Sequence, residues 1–82
     1  MKTVFSPEAV KDLKKINEPN KSRIIKAIQK LEQEPPQGDI KNLVGKNGFR
    51  LRIGSYRVLF GIKNDIIIIT NIAPRGEAYK GR

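Results

Sequence analysis

Phe49-Arg50-Leu51-Arg52-Ile53-Gly54-Ser55-Tyr56-Arg57-Val58-Leu59-Phe60 is the stretch that decides the fold, because two runs of strand formers flank a Gly-Ser pair. Glycine followed by a small polar residue suits a two-residue type II′ turn, and such a turn sets the register of a β-hairpin. Ile53 then sits opposite Tyr56, Arg52 opposite Arg57, Leu51 opposite Val58, Arg50 opposite Leu59 and Phe49 opposite Phe60. Side chains alternate along a strand, so these pairs sort onto two faces. Phe49, Leu51, Ile53, Tyr56, Val58 and Phe60 form an apolar face. The other face gathers Arg50, Arg52 and Arg57. Like charges directly opposite each other cost a sheet roughly 0.2–1 kcal/mol, so something anionic is expected to lie against them. The plain alternative is a solvated face, or edge charges that block aggregation. Neither strand carries an acidic residue, and the guanidinium fork matches phosphate oxygens in pairs. Both points favour a phosphate site.

Outward from the hairpin, Phe60-Gly61-Ile62-Lys63 prolongs its second strand. Asn64-Asp65 reads as a turn, and Ile66 to Ile72 as a further strand whose consecutive isoleucines suit a central position covered on both faces. Before the hairpin, Pro35-Pro36 closes a helix and opens a loop from Gly38 to Gly48, with Ile40, Leu43 and Val44 as anchors to the core. At the N-terminus, Thr3-Val4-Phe5 has strand composition. Ser6 is a cap, Pro7 suits the first helical position and Glu8 suits the helix's positive end. Val10, Leu13 and Ile16 mark the apolar side of that helix. A second helix begins near Pro19 or Asn20, with Ile24, Ile25, Ala27, Ile28 and Leu31 inward and Lys21, Arg23, Lys26 and Lys30 on a solvated outer face. Val4, Val10, Leu13, Ile28, Leu31, Leu51, Val58 and Ile69 are expected in the core. The expected architecture is α+β, β-α-α-β-β-β, with two N-terminal helices on a mostly antiparallel four-stranded sheet, and one domain spanning residues 1–82.

The 82 residues carry 17 Lys+Arg against 8 Asp+Glu, a formal net charge of +9. That balance points to nucleic acid, an anionic membrane or an acidic protein partner without choosing among them. Cys and His are both absent. This excludes disulfides, thiol nucleophiles, Ser-His dyads and Cys/His metal sites. The eight acids form no paired or metal-spaced set, and neither a Walker nor a dinucleotide glycine pattern occurs. No cofactor and no metal are expected. The longest apolar run, Ile66 to Ile69, is too short to span a bilayer, and a cytoplasmic protein that does not engage membranes is the expectation.

A site made of positive charge can serve RNA cleavage, in which the 2′-hydroxyl attacks the neighbouring phosphate and the substrate brings its own nucleophile. The protein must then hold the backbone in line, stabilise a phosphorane and protonate the 5′ leaving oxygen. Arginine does the second task well. It is a poor base, since its pKa exceeds about 12.

Three segments carry a resemblance that covers nearly the whole chain: Leu43-Val44-Gly45, the hairpin from Phe49 to Phe60, and Ile72-Ala73-Pro74-Arg75-Gly76-Glu77-Ala78-Tyr79. In combination, R-L-R-x-G-x-Y-R followed by a strand and R-x-E-x-Y resembles the bacterial RelE/ParE toxin superfamily, the RelE branch in particular. The resemblance implies a toxin of a type II toxin–antitoxin system that enters the decoding site of a translating 70S ribosome and cuts the mRNA there. It also implies a cognate antitoxin, acidic in its toxin-binding part. Carried over residue by residue, Arg50 and Arg52 match basic positions that bind the phosphate, and Arg57 matches the arginine that stabilises the transition state. Arg75 matches a basic residue near the leaving group, and Tyr79 a tyrosine that stacks on a base or orients the 2′-hydroxyl. Lys46, Lys80 and Arg82 are further candidates for gripping RNA or the ribosome. Where this chain has Arg50 and Arg52, the best-known member has lysines, so the identity of the base stays open between Tyr79 and Glu77, which also suits a salt-bridge role. Two other readings stand beside this one: a ParE-type inhibitor of DNA gyrase on the same fold, and a non-catalytic RNA- or ribosome-binding module.

Overall fold

The computed structural model describes residues 1–43, 45 and 47–74. The elements follow the order β1 (Lys2–Phe5), α1 (Pro7–Lys14), α2 (Asn20–Leu31), β2 (Asp39–Asn42), β3 (Phe49–Ile53), β4 (Tyr56–Lys63) and β5 (Ile66–Pro74). The strands form one sheet in the order β1-β5-β4-β3-β2, antiparallel except where β1 runs parallel to β5. The α+β class and the two-helix cover are as expected, with one strand more than the four read from the sequence. The added strand is β2, expected to be loop. Of its four side chains only Ile40 is drawn toward the core, so four residues carry almost no alternation. Pairing with β3 makes it a strand.

The hairpin register holds at all five positions, from Ile53 opposite Tyr56 to Phe49 opposite Phe60. Gly54 has φ +57, the left-handed value that the first central residue of a type II′ turn needs and that glycine adopts without steric cost. Leu51, Val58 and Phe60 are buried, with Phe49, Ile53 and Tyr56 packed against them. The Phe49 and Phe60 rings stack with centroids 5.4 Å apart, a favourable aromatic pair across the strands. Ile24, Ile28 and Leu31 of α2 close this face from above.

β5 lies between β1 and β4, inside the sheet but next to its edge; the middle strand is β4. Leu59 pairs with Asn71 but Phe60 with Ile69, leaving Thr70 as the extra residue of a bulge. The bulge shifts the alternation by one. Ile67, Ile69 and Ile72 therefore all reach the helix-side core, and Asn71 is turned to the opposite face with Leu59. The Thr70 hydroxyl donates to the Leu59 carbonyl at 3.1 Å, which ties the bulge to β4.

Two expected core residues are exposed. Val4 is 46% exposed and Val10 40%. Val4 pairs with half-buried Ile68, on the side of the edge strand away from the helices. Ala9 and Leu13 of α1, with Ile16 just beyond its end, turn inward in place of the expected Val10-Leu13-Ile16 set, because a small Ala lets a two-turn helix sit close to the sheet. The Ser6 hydroxyl caps α1 by accepting from the Ala9 N–H at 3.0 Å. The helix takes over where β1 ends: Asp12 Oδ2 accepts the Ile72 N–H at 2.9 Å, serving a β5 edge group beyond the stretch that β1 pairs.

Candidate anion-binding face

Directly paired residues project to the same side of a sheet, so the register defines the face opposite the helices. β2 contributes Asp39 and Lys41, β3 Arg50 and Arg52, β4 Arg57 and Leu59, and β5 Asn71 and Ala73. Arg50, Arg52 and Arg57 thus come together as the spacing predicts. Arg52 opposes Arg57, and Arg50 is the diagonal neighbour of Arg57, about 7–8 Å away in an ordinary antiparallel pair. Arg75 and Tyr79, matched to the site by the resemblance, lie outside the described residues, as do Lys46, Lys80 and Arg82.

The three arginines are not equivalent. Arg50 is only 9% exposed, unusual for a charged side chain. Its Nη1 and the Nη1 of half-buried Arg57 are both shielded from solvent, and neither makes a hydrogen bond among the described residues. A buried donor left unmatched costs about 1–3 kcal/mol, more for a charged group. Arg52 is half exposed and already engaged: its Nε donates to Asp39 Oδ2 at 2.8 Å. The open donors are therefore those of Arg50 and Arg57, and an oxyanion set between them would satisfy both.

Two residues on this face escaped sequence reading because β2 did. Asp39 holds Arg52 from the facing strand. Lys41 sits opposite Arg50. The signal was present in Asp39-Ile40-Lys41-Asn42, where polar residues flank one apolar residue on either side, but it is too short to separate from a loop. Asn71 borders the face, 6% exposed, its Nδ2 donating to Glu8 Oε2 at 3.3 Å. The basic side of α2, read as solvated, lines a cleft of about 340 Å³ together with Arg52 and Asp39; its cations there are Arg23, Lys26 and Lys30. Among the described residues no acidic cluster could hold a metal ion, and no helix is long and apolar enough to cross a membrane.

Helices cover one side of the five-stranded sheet, and on the other lie guanidinium donors without a partner among the described residues. Residues 3–79 match the family model described as the ParE toxin of the type II toxin–antitoxin system. The chain is 30% identical over 84 residues to toxin RelE3 of Methanocaldococcus jannaschii, covering 96% of each. Its fold superposes on the toxin–antitoxin complex RelB-RelE from Methanococcus jannaschii with a TM-score of 0.78, at 29% identity and covering 93% of this chain and 94% of that one. For the archaeal RelE-RelB complex from Pyrococcus horikoshii the TM-score is 0.77, at 27% identity and covering 94% and 97%. The isolated Escherichia coli RelE toxin, at 16% identity, shares the fold with a TM-score of 0.76, covering 95% and 89%. The chain belongs to the ParE toxin family of type II toxin–antitoxin systems, within the RelE/ParE superfamily that its hairpin and tail resemble.

Proposed function

We propose that this toxin is a ribosome-dependent endoribonuclease that cleaves mRNA in the A site, with the RNA 2′-hydroxyl as nucleophile. The observation that supports the reading is the pair of buried guanidinium donors on Arg50 and Arg57 that have no partner among the described residues. A phosphorane carries more charge on its non-bridging oxygens than the ground-state diester. Fixed donors aimed at those oxygens therefore stabilise the transition state more than the substrate. The 2′-hydroxyl gives its proton to a base as its oxygen bonds to phosphorus, and the 5′-oxygen breaks from phosphorus and takes up a proton, giving a 2′,3′-cyclic phosphate and a 5′-hydroxyl. Arg50 and Arg57 hold the phosphoryl oxygens, and Arg52, released from Asp39, adds charge at the rim. On the family resemblance, Arg75 stands near the leaving oxygen and Tyr79 stacks on a base or orients the 2′-hydroxyl.

A cognate antitoxin is the partner that silences the toxin, as the RelB-RelE complexes suggest for their own chains. The net charge of +9 fits an antitoxin that is acidic where it binds. Gyrase inhibition is the second reading, favoured by the ParE name of the matching family; it makes no demand on the arginine face.

Incubation of the purified toxin with ribosomes programmed with mRNA tests the proposal, alongside a gyrase supercoiling assay. Cleavage in the A site that Arg57→Ala abolishes supports it. Intact message together with lost supercoiling transfers the assignment to gyrase. Tyr79→Phe separates the two tail roles: retained cleavage means stacking, lost cleavage means hydroxyl chemistry.

A further inference from the structure

We infer that Lys41, on edge strand β2, is a substrate-positioning residue that holds the phosphate next to the scissile one and so sets the path by which the RNA backbone leaves the arginine cradle. The inference rests on the message-cleaving reading above. Lys41 pairs directly with Arg50 and shares its face. One strand spacing, about 4.8 Å, separates the two backbones. Lys41 is exposed and makes no ion pair or side-chain hydrogen bond among the described residues. Two cations are thus held directly across from each other with no described counter-ion, an arrangement that costs the sheet unless an anion bridges it. Two residues away, Asp39 presents a carboxylate to the same face and is tied to Arg52. A polyanion crossing the sheet meets at the β2 edge a carboxylate already neutralised by Arg52 on the Asp39 row and a cation without a described partner on the Lys41 row, so β2 steers the strand toward Lys41. Lys41 extends the line of cations from Arg57 through Arg50 to the sheet edge by one phosphate.

The bland account is that an edge-strand lysine keeps sheets from pairing edge to edge. That role is blind to the substrate's charge, and the test uses the difference. On programmed ribosomes, single-turnover cleavage is measured with native mRNA and with mRNA carrying a neutral methylphosphonate at each phosphate flanking the scissile one in turn. The wild-type toxin should slow on the order of fivefold at one of these positions, the scale of one exposed charge contact. Lys41→Gln should slow by a similar factor on native mRNA and lose no more with that modified message, while Lys41→Arg restores the native rate. Native-like cleavage by Lys41→Gln, or a variant as sensitive to the methylphosphonate as the wild type, overturns the assignment while leaving the arginine cradle in place. A wild-type toxin that cuts no message removes the reading beneath it and the proposal with it.

Discussion

Asp39 Oδ2 accepts a hydrogen bond from Arg52 Nε at 2.8 Å across the β2–β3 pair, so one guanidinium of the cluster is engaged while Arg50 and Arg57 keep donors without partners among the described residues. Both members of the pair are substantially exposed, 49% and 40%. Water and salt screen such a pair, and its contribution to stability lies at about 0–1 kcal/mol. A phosphate can displace the carboxylate at little cost.

Asp39→Asn removes the only carboxylate that β2 presents to the cradle. The melting temperature should move little, in keeping with about 1 kcal/mol or less for an exposed pair. The toxin concentration needed for half-maximal cleavage should fall at low salt and converge with wild type as salt rises. Titrations at two ionic strengths check this, and weaker action by the variant counts against it.

Arg50→Met exchanges a nearly buried cation for a flexible apolar side chain of similar length. Removing an uncompensated buried charge should raise stability by about 1–3 kcal/mol in urea unfolding, while cleavage falls by at least an order of magnitude. Function held at the expense of stability is the pattern expected of a binding site. A destabilised Arg50→Met protein would show that the guanidinium supports the fold.

Asp12→Ala leaves the Ile72 N–H without its acceptor and unties α1 from the β5 edge. The loss should be about 1–3 kcal/mol. Amide exchange at Ile72 should speed up well before global unfolding. An unchanged exchange rate at Ile72 would rule out the edge-capping role.

Glu18 reaches over the start of α2, where Pro19 offers no side-chain cap, and accepts the Ser22 N–H at 3.0 Å. Hydrogen bonding from Ser22, with Lys21 adding a smaller attraction, holds the Glu18 carboxyl below the ordinary range. A carboxyl lowered in the folded state stabilises above its unfolded value, and that help disappears as pH falls through the folded one. The wild type should therefore melt slightly above Glu18→Gln at neutral pH, the gap closing below roughly pH 4. Thermal melts of both proteins across this range decide it, and a gap that widens in acid contradicts the capping role.

The hairpin was legible from the chain alone because a two-residue turn leaves one register, and one register sorts six apolar side chains from three arginines. The helix starts were legible for a similar local reason: Ser6 before Pro7, and the break around Pro19, are chemical punctuation. What needed the third dimension was every feature that depends on a neighbour distant in sequence. The strand at Asp39–Asn42 exists through its pairing with β3, and with it came Asp39 and Lys41, which no local pattern assigns to the arginine face. The bulge at Thr70 reset the side-chain alternation of β5. Ala9 displaced Val10 from the core because close approach to the sheet outweighs hydrophobicity in a two-turn helix. The difference between one engaged and two unmatched guanidinium groups was likewise invisible in a row of letters, since a hydrogen bond depends on where the partner's oxygen lies in space.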